Sequence, residues 1–271
     1  MQQKRSRWVY IVLSLMLFSL IIFSALPLVS SIVSGNRLKS DPNSAIATFS
    51  SQELIQLAAE ASGYEKVLER EPENETALRG LLEIKIAQKD IPGAIVPLER
   101  LAQLHQEQTE YTILLAQAKQ QIEDYEGAAA AYRQVLATKP GDILALGGIS
   151  NLFLLQNLPE RAIALLKNTI ATATNDKAED KSIDLESVEL LLGELYTSQE
   201  RYGEAMSIYD RVATADENDF RPVLAKALVL EKQGDIEAAK PILDSAYTLA
   251  PAEYKDQIGR EMERLNTLKG E

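Results

Sequence analysis

The chain of 271 residues has no cysteine. Disulfides, thiolate metal sites and cysteine nucleophiles are therefore excluded. There is one histidine, His105, near the end of a helical stretch, LERLAQLHQEQ. A lone histidine has no partner at ligand spacing, so it reads as a helix-terminal polar residue. A serine-hydrolase arrangement would need that histidine beside a nucleophile, and no such pattern lies near it. Also missing are a phosphate loop, a glycine-rich dinucleotide turn after a strand, and any metal-spaced cluster. Paired carboxylates such as Asp180/Asp184 or Glu253/Asp256 carry little weight among 40 acidic residues, and read as a solvated face. The chain is read as a non-enzyme, with no catalytic residue, cofactor or metal.

Basic charge is scarce outside the N-terminus. Residues 1–39 hold Lys4, Arg5, Arg7, Arg37 and Lys39 and no acid, a balance of +5. That leaves 23 basic against 40 acidic residues in the remainder, a balance of −17. Nucleic-acid binding rests on Lys and Arg neutralising phosphate, so nucleic acid is excluded as a partner.

One long apolar run is present. Trp8–Val33 has 26 residues without a charge, behind a basic segment at 1–7. About 20 apolar residues span a bilayer, and Trp8 and Tyr10 suit the headgroup level. A cleaved signal peptide, cut after Ser31, is the competing reading. Its apolar core usually runs to about 7–15 residues, and Val9–Leu26 is longer, which favours an uncleaved transmembrane helix over 8–33. The charge asymmetry predicts an N-terminus that is cytoplasmic or stromal and the remainder on the opposite side. Residues 34–51 read as a polar linker.

From residue 52 onward the sequence repeats. In IEDYEGAAAAYRQVLATKP (Ile122–Pro140), Tyr125, Ala128 and Tyr132 set a pattern. Its alanine recurs at Ala94, Ala128, Ala162, Ala205 and Ala239, in steps of 34, 34, 43 and 34 residues. Four residues on stands a large side chain: Leu98, Tyr132, Leu166, Tyr209, Leu243. Twelve residues before stand Leu82, Ala116, Ser150, Gly193 and Ala227, small except for the first. Helices approach to about 8–10 Å where small side chains meet, and a period near 34 predicts stacked helix pairs. The step of 43 is one period plus a nine-residue insertion, placed within Thr172–Ser187 and read as a lengthened polar surface loop, with partner docking as the alternative. Pro97 and Pro241 fall inside second helices, predicting a late start or a bend there.

The pattern resembles the tetratricopeptide repeat family over about Glu75–Glu253, as five repeats. The layout, one apolar span before an acidic repeat array, resembles membrane-anchored members from bacteria, cyanobacteria and plastids. The resemblance implies an all-α fold, a right-handed superhelical solenoid of antiparallel helix pairs. A degenerate half repeat at 52–74 covers its start. A capping helix at 253–269, with Ile258, Met262, Leu265 and Leu268 on one face, covers its end. In the family the first helix of each repeat lines a concave groove. That places Arg79, Glu83, Ile113, Gln117, Gly147, Asn151, Leu190, Glu194, Leu224 and Leu228 on a partner-binding surface. The cluster of cations and asparagine with which some members hold a C-terminal carboxylate is matched only by Arg79 and Asn151, two repeats apart. The expected role is a membrane-anchored scaffold binding a partner protein or peptide, such as an assembly factor for a membrane complex. The alternative is a self-associating structural or spacer protein of the envelope.

Overall fold

A computed structural model describes residues 51–175 and 183–267. The apolar run at 8–33, nearly all of the linker and Leu268 lie outside the described residues. Among the described residues there are twelve helices and no strand, and no helix is long and apolar enough to cross a membrane. They are α1 (Ser51–Arg70), α2 (Glu75–Ala87), α3 (Ile91–Leu104), α4 (Thr109–Gln121), α5 (Tyr125–Thr138) and α6 (Ile143–Leu155). They continue as α7 (Pro159–Ala173), α8 (Leu185–Ser198), α9 (Tyr202–Ala215), α10 (Phe220–Lys232), α11 (Ile236–Leu249) and α12 (Ala252–Thr267). The chain forms two compact units, Met1–Asp124 and Tyr125–Glu271.

The repeat register is the buried register. Ala94, Ala128, Ala162, Ala205 and Ala239 are each 0% exposed, and the large residues four positions on are at most 3% exposed. Burying one such leucine or tyrosine contributes roughly 1.5–3 kcal/mol. In the first unit Leu78, Leu82, Leu98, Leu101 and Tyr111 form a core between α2, α3 and α4. The bulky Leu82, at a position where the pattern favours a small residue, is buried within it. Helix α1 packs on α2 through Ala61, Leu81 and Ile84. Tyr64 seats on Gly80, where an added Cβ would come within 2.4 Å of its ring. The same seat recurs sixteen residues apart in the second unit, where Tyr132 covers Gly148. Helix α1 therefore stands in the repeat register, with Glu60 where the others carry alanine.

In the second unit each helix packs on the next, and the first helices α6, α8 and α10 also touch in succession. Leu146, Leu166, Leu192, Tyr209 and Val212 centre one core, and Leu243, Ile258 and Leu265 another, closed by α12.

The five turns inside helix pairs share one backbone solution. Lys89, Glu123, Asn157, Glu200 and Gly234 have φ between 57° and 81°. Each ends its helix with paired reverse bonds, as in Asp90 N–H to the Lys85 carbonyl and Lys89 N–H to the Ile86 carbonyl. This satisfies carbonyls that a helix end would otherwise leave open.

Two expectations need correction. Helix α3 begins at Ile91 and runs through Pro97, and α11 begins at Ile236 and runs through Pro241. Of the late start or bend expected there, the late start does not occur, because both prolines lie in the first half of helices already fixed by an aspartate cap. Asp90 accepts from Gly93 N–H and Asp235 from Ala238 N–H. The insertion is also not wholly a surface loop. Ile183 is buried in the core, where its Cγ2 would lie 2.9 Å from a Cβ on Gly141. Asp184 then caps α8 by accepting from Ser187 N–H at 3.0 Å. Residues 176–182 lie outside the described ones.

Candidate binding surface

In the second unit the first helices are held at their starts by carboxylates, which satisfy amide groups the helix itself leaves free. Asp142 accepts from Ala145 N–H at 3.0 Å, and Asp219 from Arg221 N–H at 2.9 Å. The Arg221 guanidinium reaches 2.9 Å to Ser187 Oγ, tying α10 to α8. Behind this face, Thr197 and Tyr209 hydroxyls meet at 3.3 Å, and Arg211 donates to Glu189 at 3.0 Å.

On this scaffold the second unit brings together six of the sequence-identified residues. Gly147 and Asn151 lie on α6, Leu190 and Glu194 on α8, and Leu224 and Leu228 on α10. A Cβ on Gly147 would meet Leu191 Cδ1 at 3.9 Å, so α6 and α8 pass closely here. Asn151, Leu190, Leu224 and Leu228 are half-buried, presenting part of each side chain to water. Glu194 keeps an accessible side, yet neighbouring atoms crowd its carboxyl and push its pKa up by desolvation. Three leucines with one hard-to-ionise carboxyl form a surface suited to apolar and hydrogen-bonding contact.

The first unit differs. Arg79 bonds Glu75 at 2.9 Å and lies 6.0 Å from the centre of the Tyr111 ring. His105 Nε2 lies 3.0 Å from the same Glu75 carboxylate, and its ring packs 5.6 Å from Tyr111. The single histidine thus sits at a helix end, within an ion-pair cluster. Glu83 is exposed, and desolvation with the Glu60 charge raises its pKa. Ile113 and Gln117 are 1% and 7% exposed. Every residue of α4 from Tyr111 to Ala118 is buried, so these two present little surface to solvent. Among the described residues no group of three His, Cys, Asp or Glu side chains is placed to hold a metal ion.

The sequence reading missed a cleft on the other side of the second unit, between second helices α5 and α7 with α6 as its floor. Its two connected lobes have volumes of about 380 and 530 Å³. Arg133, Ile149, Phe153 and Arg161 line both. The available signal was the alanines at 129, 137 and 164, small residues outside the buried register.

Family models described as tetratricopeptide repeat match residues 122–179, 190–222 and 222–253. No curated protein matches the chain. Among solved structures, yeast Tom70 is 14% identical, with a TM-score of 0.52 over 83% of this chain and 45% of that one. A tetratricopeptide repeat protein from Parabacteroides merdae is 16% identical, with a TM-score of 0.50 over 80% and 89%. The APC/C hetero-tetramer Cut9-Hcn1 gives 17% and 0.44 over 78% and 40%. The chain thus spans less than half the length of Tom70 and of the matched Cut9-Hcn1 chain. At these identities the likeness concerns fold alone. With three repeat models matched along α5–α11 and a buried alanine recurring at their spacing, the chain belongs to the tetratricopeptide repeat family.

Proposed function

We propose that the chain is a membrane-anchored scaffold that holds a partner protein on the face of α6, α8 and α10. The observation that carries this reading is the succession of half-buried Leu190, Leu224 and Leu228 around Glu194 on adjoining first helices. Half-buried leucines supported on rigid helices cost little ordering entropy when a partner covers them. The 26-residue apolar run supports an anchor at 8–33, with the N-terminus cytoplasmic or stromal and the repeats across the membrane. Anchoring confines the scaffold to the membrane surface and raises its effective concentration toward membrane partners. That favours work as an assembly factor, and the residues on this face form binding rather than catalytic chemistry.

Two experiments test the reading. The intact chain, solubilised from its own membranes, should co-purify a partner that the Glu194→Lys/Leu228→Ser variant loses while keeping its helical circular dichroism. Equal recovery by both proteins would remove the face from the binding site. The anchor predicts retention in the membrane pellet at pH 11, and release into the supernatant would remove it.

A further inference from the structure

The cleft between α5 and α7 is open because its walls are short. Ala129 and Ala137 on α5 and Ala164 on α7 stop at Cβ, leaving Ile149 and Phe153 of α6 as a partly open apolar floor, with Leu136 and Leu165 along the sides. Arg133 and Arg161 flank this floor, both exposed. Among the described residues neither makes an ion pair, although the remainder of the chain beyond residue 39 is at −17. Glu126, at one end of the cleft, bonds neither of them.

The next repeat supplies an internal comparison. The corresponding cleft there, about 460 Å³, is lined by Lys167, Ile170, Leu192, Tyr196, Glu204 and Arg211. These stand where Arg133, Leu136, Ile149, Phe153, Arg161 and Asn168 stand one repeat earlier. Around that second cleft the charged side chains have partners. Arg201 pairs with Glu204 and lies 4.5 Å from the centre of the Tyr196 ring, with Lys167 5.7 Å from the same centre. Arg211 bonds Glu189. In the first cleft the acid is replaced by Arg161 and the tyrosine by Phe153, so two cations are left facing an apolar floor.

We infer that the α5–α7 cleft is a docking site for an acidic protein segment, whose apolar side chain enters over Phe153 and whose carboxylates meet Arg133 and Arg161. Charge complementarity selects this occupant. Guanidinium–carboxylate pairs beside an apolar floor combine a charge-assisted hydrogen bond with desolvation. An anionic membrane fits less well, because a broad lipid surface would also have to approach the acidic surroundings, whereas a short segment meets mainly the cleft. The inference rests on reading the chain as a protein-binding scaffold, but it uses a face other than that of Leu190, Leu224 and Leu228.

The test selects phage-displayed random twelve-residue peptides on the intact chain in detergent. The expected winners pair glutamate or aspartate with a large apolar residue. They should lose affinity on the order of tenfold against Arg133→Gln/Arg161→Gln. They should weaken similarly against Ala164→Trp, which fills the cleft. They should bind Glu194→Lys/Leu228→Ser as well as they bind the unaltered chain. Unchanged binding to both cleft variants would overturn the site. Peptides lost only on Glu194→Lys/Leu228→Ser would overturn it while leaving the first-helix face intact as a binding surface. Displacement of the peptides by soluble dihexanoyl-phosphatidylglycerol, dependent on Arg133 and Arg161, would assign the cleft to lipid headgroups and equally overturn it.

Discussion

Ala128 and Ala129 are adjacent in sequence, but only the first is fully enclosed. Leucine differs little from alanine in helix propensity, so propensity cannot separate substitutions at the two sites. Ala128→Leu should cost about 1–3 kcal/mol, because its methylenes must displace packed atoms. Ala129→Leu should change stability by no more than about 0.5 kcal/mol. Urea unfolding followed by helical circular dichroism measures both, and equal midpoints would contradict the register. The left-handed turn residues yield a second residue-scale expectation. Glu200 holds φ 58° with a side chain, and Gly234 holds 81° without one. Glu200→Gly should stabilise by about 0.5–1 kcal/mol, and Gly234→Ala should destabilise by about 1 kcal/mol. Thermal midpoints moving in the same direction would contradict this account. Glu194 carries the pH expectation. Its folded pKa lies above its unfolded value, so the crowding of its carboxyl costs least when it is protonated. Glu194→Gln should be more stable than the unaltered chain at pH 7. The difference should vanish as pH falls below about 4, near the unfolded carboxylate value. A gap constant from pH 4 to 8 would show that the carboxyl is not the cause.

At the scale of elements, the alanine–large pattern was legible because close helix packing accepts few residue types at those positions. The turn conformation was hidden, since Lys89, Glu123, Asn157 and Glu200 give no glycine signal and only Gly234 does. The resemblance brought Leu190, Leu224 and Leu228 onto one face through the register. The enclosure of Ile113 and Gln117 could not be read the same way, because burial of α4 depends on what covers its other side. The arginine-flanked cleft was equally hidden, since it arises from a gap between two second helices rather than from a motif. Proline placement was legible only in part. Pro241 is exposed within α11, and its ring brings no amide hydrogen to the helix ladder. Pro241→Ala should supply an amide hydrogen and relieve the ring's clash in the helix, stabilising by about 1–3 kcal/mol. A lower thermal midpoint would show that the ring contributes more by packing or by stiffening the unfolded chain.

At the scale of the whole molecule, the apolar run and the acidic repeats make opposite demands on solvent. A span of 26 uncharged residues favours lipid over water, while a charge of −17 favours water. The proposed anchored scaffold would reconcile the two, and the central claim of that proposal is that a partner lies against α6, α8 and α10. Site-specific photo-crosslinking in native membranes tests that most directly, with the reactive group placed in turn at Glu194, Leu224 and Leu228, and at exposed Thr248 on α11 as a control. The account predicts a single protein adduct of the same mass from the first three positions and none from Thr248. Equal adducts from all four, or adducts from Thr248 alone, would contradict it.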